Sequence, residues 1–151
     1  MIRGVSFSIP QVTGNTLWKV LNCIDVENFR WHIEESQTEV WNSPTGNKFF
    51  EKHYFPGHAF LQKILCDHYI IFLKLQAQSK EGVFSDIRTY EEFLESECQL
   101  LLLIYDCESL ELYTKDPFIA KKLYDNALEK RYFEVNYITD CNDSRTRMNV
   151  L

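Results

Sequence analysis

Two stretches of this chain are apolar at odd and even positions alike. They are residues 69–75 (Tyr-Ile-Ile-Phe-Leu-Lys-Leu) and residues 99–106, with an unbroken apolar core at 100–105. Strand side chains alternate between the two faces of a sheet, so a strand of this kind must hide both. Neither run has the length or the stripe of a helix. Both fall far short of the ~20 apolar residues that cross a bilayer. A fold containing two such strands needs cover on both faces of its sheet, and that requirement constrains everything else.

The remaining segments read around these two strands. Val5, Phe7 and Ile9 alternate with polar residues and stop at Pro10, a half-buried strand. Leu17, Val20, Leu21 and Ile24 have the spacing of a short amphipathic helix. Phe29, Trp31 and Ile33 alternate again, and residues 39–41 supply a brief strand that could pair with them as a hairpin. Ser43-Pro44-Thr45-Gly46-Asn47 is a turn cluster, and residues 48–55 are ambiguous, with a strand as one reading. Residues 58–65 read as a helix, and 76–85 as a polar loop joining the two halves. Thr89 with Glu92 forms a capping box before a short helix through Glu95. Residues 110–114 return as a strand. Asp116-Pro117 then opens a helix buried along Ala120, Leu123, Tyr124, Ala127 and Leu128. Phe133, Val135 and Tyr137 alternate in a further strand, and Met148 with Val150 hints at a last one.

The predicted fold class is α+β: a mixed β-sheet with helices packed on it, in the order β-α-β-β-α-β and then α-β-β-α-β. The first six elements match the split βαβ pattern. At 151 residues, 45% of them hydrophobic and 25% charged, the expectation is one domain over 1–151. Its possible halves, 1–78 and 86–151, would share one core. A chain of this length can bury about 70% of its unfolded surface, so no metal or disulfide is needed to hold it together. Five scattered cysteines without a CxxC pair, and no apolar leader, point to a reducing compartment, the cytoplasm, with no membrane association.

Net charge is −6, and its distribution says more than its total. Between residues 91 and 116 eight carboxylates face the single Lys115, a net of −7, while the rest of the chain is near neutral. Such a segment opposes direct contact with nucleic-acid phosphates and favours a protein partner with a basic surface. The plain alternative is a solvated face that keeps the protein soluble.

The chemistry-bearing residues form no recognisable catalytic set. His53, His58, Cys66 and His68 have no closed zinc spacing, and no metal or cofactor is expected. Cys66 is the one cysteine near a histidine, and the others read as small core hydrophobes. No phosphate-binding or nucleophile-elbow motif occurs, and the three tryptophans read as core or rim.

Arg3-Gly4-Val5-Ser6-Phe7-Ser8-Ile9-Pro10, Thr89-Tyr90-Glu91-Glu92-Phe93-Leu94 and Tyr137-Ile138-Thr139-Asp140 together resemble an uncharacterised family of proteins of about 150 residues from spore-forming Bacillus-type bacteria. The resemblance implies a bacterial cytoplasmic domain and supplies no activity, cofactor or site residue. The functional expectation is a non-enzymatic protein-binding module, an immunity or antitoxin-like inhibitor or a regulator, using Glu91, Glu92, Glu95, Glu108 and Glu111. The alternative is an enzyme or small-ligand binder with a site near Trp31, His53, His58 and His68.

Overall fold

The computed structural model describes residues 1–42 and 46–151. The strands are β1 (Ile2–Ser8), β2 (Arg30–Ile33), β3 (Glu39–Asn42), β4 (Asn47–Lys48), β5 (Tyr54–Phe55), β6 (His68–Gln78), β7 (Cys98–Tyr105), β8 (Ser109–Thr114) and β9 (Phe133–Thr139). The helices are α1 (Thr16–Leu21), α2 (Gly57–Ile64), α3 (Tyr90–Glu95) and α4 (Pro117–Glu129). With the two-residue ladders β4 and β5 set aside, the order is the one read from the sequence, and the class is α+β. The ambiguous 48–55 stretch contributes only the end of β4 and the short β5. Of the expected turn cluster, Ser43, Pro44 and Thr45 lie outside the described residues. Gly46 takes a left-handed φ of 76° and donates its amide to the Asn42 carbonyl at 2.9 Å.

One sheet runs β4-β3-β6-β7-β8-β1-β9, with β2 also on β6 and β5 on β2. Each of its described pairings is antiparallel. The split βαβ match does not survive, because β1 lies between β8 and β9 and not among the first-half strands. Nor do β2 and β3 form a hairpin. A 3₁₀ turn at Glu35–Gln37 carries the chain onward instead of reversing it. The two strands therefore lie end to end along β6, β3 on its first half and β2 on its second. At about 3.3 Å per residue an eleven-residue strand is long enough for both.

The register sorts side chains into two sheets of contacts. Ile33, Leu75, Leu102, Leu112, Val5 and Tyr137 form one row across the sheet, each the partner of the next. This face carries the main core, under α1, α2 and α4, with Trp31 stacked on Phe60 at 4.4 Å between ring centres. Asp116 caps α4 by accepting from the Phe118 amide at 2.9 Å, with Pro117 in the first turn. Buried Asn126 on α4 donates to the Lys19 and Val20 carbonyls at the end of α1, fixing the two helices to each other.

The opposite face carries the row His32, Gln76, Leu101, Tyr113, Gly4 and Ile138. A second core of Ile87, Phe93, Cys98, Leu101, Leu103, Tyr113, Ile138 and Met148 lies here. The expected 76–85 loop is shorter than the sequence suggested. Gln76, Ala77 and Gln78 continue β6 and are fully buried. The Gln76 and Gln78 side chains donate through Nε2 to the Ser85 and Val83 carbonyls, while both Oε1 atoms are buried without a hydrogen-bond partner among the described residues. Met148 is buried but forms no strand; its amide donates to the Arg88 carbonyl at 2.8 Å. On β1, a side chain at Gly4 would collide with the Leu112 carbonyl, so only glycine permits this close approach of β1 and β8.

Candidate functional site

The polar chemistry of the protein gathers on the second face. Glu111, midway along β8, is gripped by Arg145 through Nε at 2.9 Å and Nη2 at 3.1 Å, and it accepts from the Tyr105 hydroxyl at 3.1 Å. The Tyr113 hydroxyl lies 3.2 Å from Asp143. Arg3 binds Asp143 at 3.1 Å and Asp140 at 2.9 Å, and its guanidinium sits 4.0 Å over the Tyr90 ring. Burial raises the Tyr113 phenol well above its ordinary value, and the adjacent carboxylates add to the effect. Each of these carboxylates is matched by an arginine, so the network works as a clasp holding residues 140–149 on the sheet. A groove of about 330 Å³ beside it is lined by Ser6, Ser8, Asn136 and Glu134, the last at φ 55° in a bulge of β9.

A larger cavity, about 490 Å³, opens where β2 meets β6. Gln76 reaches it from the sheet, His32 stands beside Gln76 as its register partner, and Tyr54 and Phe84 contribute aromatic faces. The His32 ring stacks on Tyr54 at 4.5 Å and lies 5.3 Å from Phe84. Burial lowers the His32 pKa, which favours a neutral imidazole, although Glu34 pulls the other way. Sequence reasoning missed these residues. The signal was present in Lys74, Gln76 and Gln78, three polar residues at alternate positions of an otherwise apolar strand.

The five acidic residues do not share one surface. Glu91, Glu92 and Glu95 lie on α3, before β7 begins, and Glu108 lies in the turn after it ends, about 25 Å away along an eight-residue strand. The N-cap half of the expected capping box forms, the Glu92 amide donating to Thr89 Oγ1 at 3.1 Å, while the Glu92 carboxylate accepts one residue earlier, from the Arg88 amide at 3.3 Å. Glu108 accepts from Gln11 at 2.9 Å, and Glu111 is neutralised by Arg145.

Trp31, His53, His58 and His68 are not brought together either. Trp31 is buried in the main core and donates to the Val26 carbonyl at 3.0 Å. His68 is buried at the start of β6, with Nδ1 2.8 Å from the Cys66 carbonyl and Nε2 accepting from the Leu17 amide at 3.2 Å. Both nitrogens are occupied, and burial lowers its pKa. His58 is exposed on α2. Only His53, 3.1 Å from Glu35, lines the cavity beside Gln76. Among the described residues no group of three or more histidine, cysteine or acidic side chains is arranged to hold a metal ion. Burial pushes the thiols of Cys23 and Cys98 up to about 11.

Among the described residues, no helix is long and apolar enough to cross a membrane. No solved structure is matched by this chain. An uncharacterized protein, YncE, of Bacillus subtilis (strain 168) is 37% identical over 153 residues, covering 99% of this chain and 100% of the relative. The family model described as "Protein of unknown function (DUF2691)" matches residues 2–149. The Bacillus-type resemblance in the sequence is thereby established, and the chain belongs to this uncharacterised DUF2691 family.

Proposed function

We propose that the protein is a non-catalytic binding module, an inhibitor or regulator that docks a basic protein surface on α3. The observation that carries this reading is the exposed face of that helix. Glu91 and Glu95, one turn apart, flank Leu94, which is 51% exposed, and neither carboxylate has an ion-pair partner among the described residues. Glu91 and Glu92 suit the first turn of a helix, whereas Glu95 sits at the end where the helix dipole opposes negative charge. An exposed, unpaired carboxylate at that end, beside an exposed leucine, supports a docking role. The footprint is narrower than the acidic segment, since Glu111 is neutralised and Glu108 is remote.

The non-catalytic part of the reading rests on how the reactive groups are used. The imidazole of His68 is engaged in backbone hydrogen bonds. The Cys23 and Cys98 thiols, held near 11 by burial, carry little of the thiolate needed for nucleophilic attack at neutral pH. The test is capture of the partner from native lysate on wild-type protein and on the Glu91→Lys/Glu95→Lys variant, followed by association rates of the identified partner at two salt concentrations. Reversal should slow association at least about tenfold and flatten its salt dependence, with melting lowered only slightly by the lysine in the first turn of α3. An unaltered rate would place the docking surface elsewhere.

A further inference from the structure

We propose that the cavity between β2, β6 and residues 84–86 is a binding site for a small organic cation rich in N–H donors, of the guanidinium type. Gln76 is 1% exposed and lines the cavity. Its Nε2 donates to the Ser85 carbonyl at 3.1 Å, which leaves Oε1 as the spare atom, and Oε1 has no hydrogen-bond partner among the described residues. His32 Nδ1, beside it on the same face, is also buried without a partner. An unmet acceptor at full burial is costly and uncommon in native proteins; Gln78 Oε1 is likewise unpartnered but does not line the cavity, whereas Gln76 does. A ligand that brings N–H groups to Gln76 Oε1 and His32 Nδ1 removes the cost.

The walls select the rest of the ligand. His32, Tyr54 and Phe84 pack on one another, His32 stacked on Tyr54 at 4.5 Å, and Tyr54, 60% exposed, keeps an outer ring surface suited to a flat cation. The lining holds the carboxylates of Glu34, Glu35 and Asp86 and no lysine or arginine side chain, so phosphate-bearing ligands are disfavoured. Glu35 and Asp86 are paired with Lys48 and Arg88, both more than half exposed. Surface pairs of this kind are weak and yield readily to a better placed cation. Glu34 is held by buried Lys74 at 3.3 Å and keeps that partner. The volume, about 490 Å³, suits a molecule of small-metabolite size. Arg30 already lies 5.2 Å from the Phe84 ring and His32 covers one side of Tyr54, which leaves the outer side of the Tyr54 ring as the stacking surface.

The experiment is an NMR titration with agmatine, read at the Gln76 side-chain amide and the His32 imidazole. Choline, a cation without N–H groups, and adenosine, a neutral heterocycle, are the controls. Saturable shifts at both residues by agmatine below about 10 mM, with choline and adenosine at least about tenfold weaker, are expected. Gln76→Met and Tyr54→Ala should each weaken agmatine at least about fivefold. Tyr54 is 60% exposed, so its variant tests the site even where the buried one fails to fold. Absence of saturation, shifts confined to other residues, equal binding of choline or adenosine, or an unchanged affinity in Tyr54→Ala would each overturn the proposal.

Discussion

The His68 imidazole acts as the N-terminal cap of α1, accepting through Nε2 from the Leu17 amide at 3.2 Å across fifty-one residues of chain. Asn15, at the cap position, makes no side-chain capping bond, and a distant histidine satisfies one of the helix's unpaired first-turn amides. Only the neutral ring can accept, and burial lowers the His68 pKa below its ordinary value of 6.5. Stability from this group is present above pH 6.5 and is lost as pH falls toward the depressed folded value. His32, lowered by the same cause, adds to that slope. Urea melts of His68→Gln, which keeps an acceptor but does not titrate, should show a shallower loss of stability below pH 6.5. His68→Phe should cost about 1–2 kcal/mol at neutral pH.

Lys74 is fully buried in a central strand, its ammonium bonded to the Ile87 carbonyl, to Asn149 Oδ1 at 2.9 Å and to Glu34 at 3.3 Å. It ties both covering segments of the second face to the sheet. Lys74→Met should cost about 1–3 kcal/mol through the stranded Ile87 carbonyl. Hydrogen exchange should show the Met148 amide, bonded to Arg88, losing protection before the amides of β7 do.

Leu102 is fully buried in β7 under the helix layer, whereas Ile71 in β6 is only half-buried. Leu102→Ala should cost about 2–5 kcal/mol in chemical denaturation, and Ile71→Ala clearly less. Equal losses would show that the covering layers are looser than their contacts indicate.

Cys66 and Cys141 are exposed, while Cys98 is buried and Cys23 partly so, the last two with thiols raised to about 11. Timed alkylation of the native protein at pH 8, followed by mass spectrometry, should label Cys66 and Cys141 first. Cys98 should react only after denaturant is added, because both its burial and its protonation oppose thiolate attack. Early labelling of Cys98 would mean that α3 opens readily.

Much of the fold was legible in local patterns, because local patterns report local physics. Strands apolar on both faces had to be central, and β6 and β7 are neighbours at the middle of the sheet. The Thr89 cap and the Asp116-Pro117 start sit where their short-range hydrogen bonds require. What a sequence reading got wrong was decided over longer distances. Gln76 and Gln78 look like loop residues until the carbonyls of residues 83 and 85 fold back to receive them. That the acidic segment splits into two patches follows from the strand between Glu95 and Glu108, but that Arg145, thirty-four residues on, neutralises Glu111 does not. The cavity at Gln76 depends on register alone: His32 faces Gln76 because β2 pairs with the far half of β6, and a slip of one residue would put Trp31 there instead. Sequence fixes which residues want burial and where helices begin, since those preferences act within a few positions. Which polar groups meet across the sheet is set by strand pairing, which only the closed tertiary structure decides.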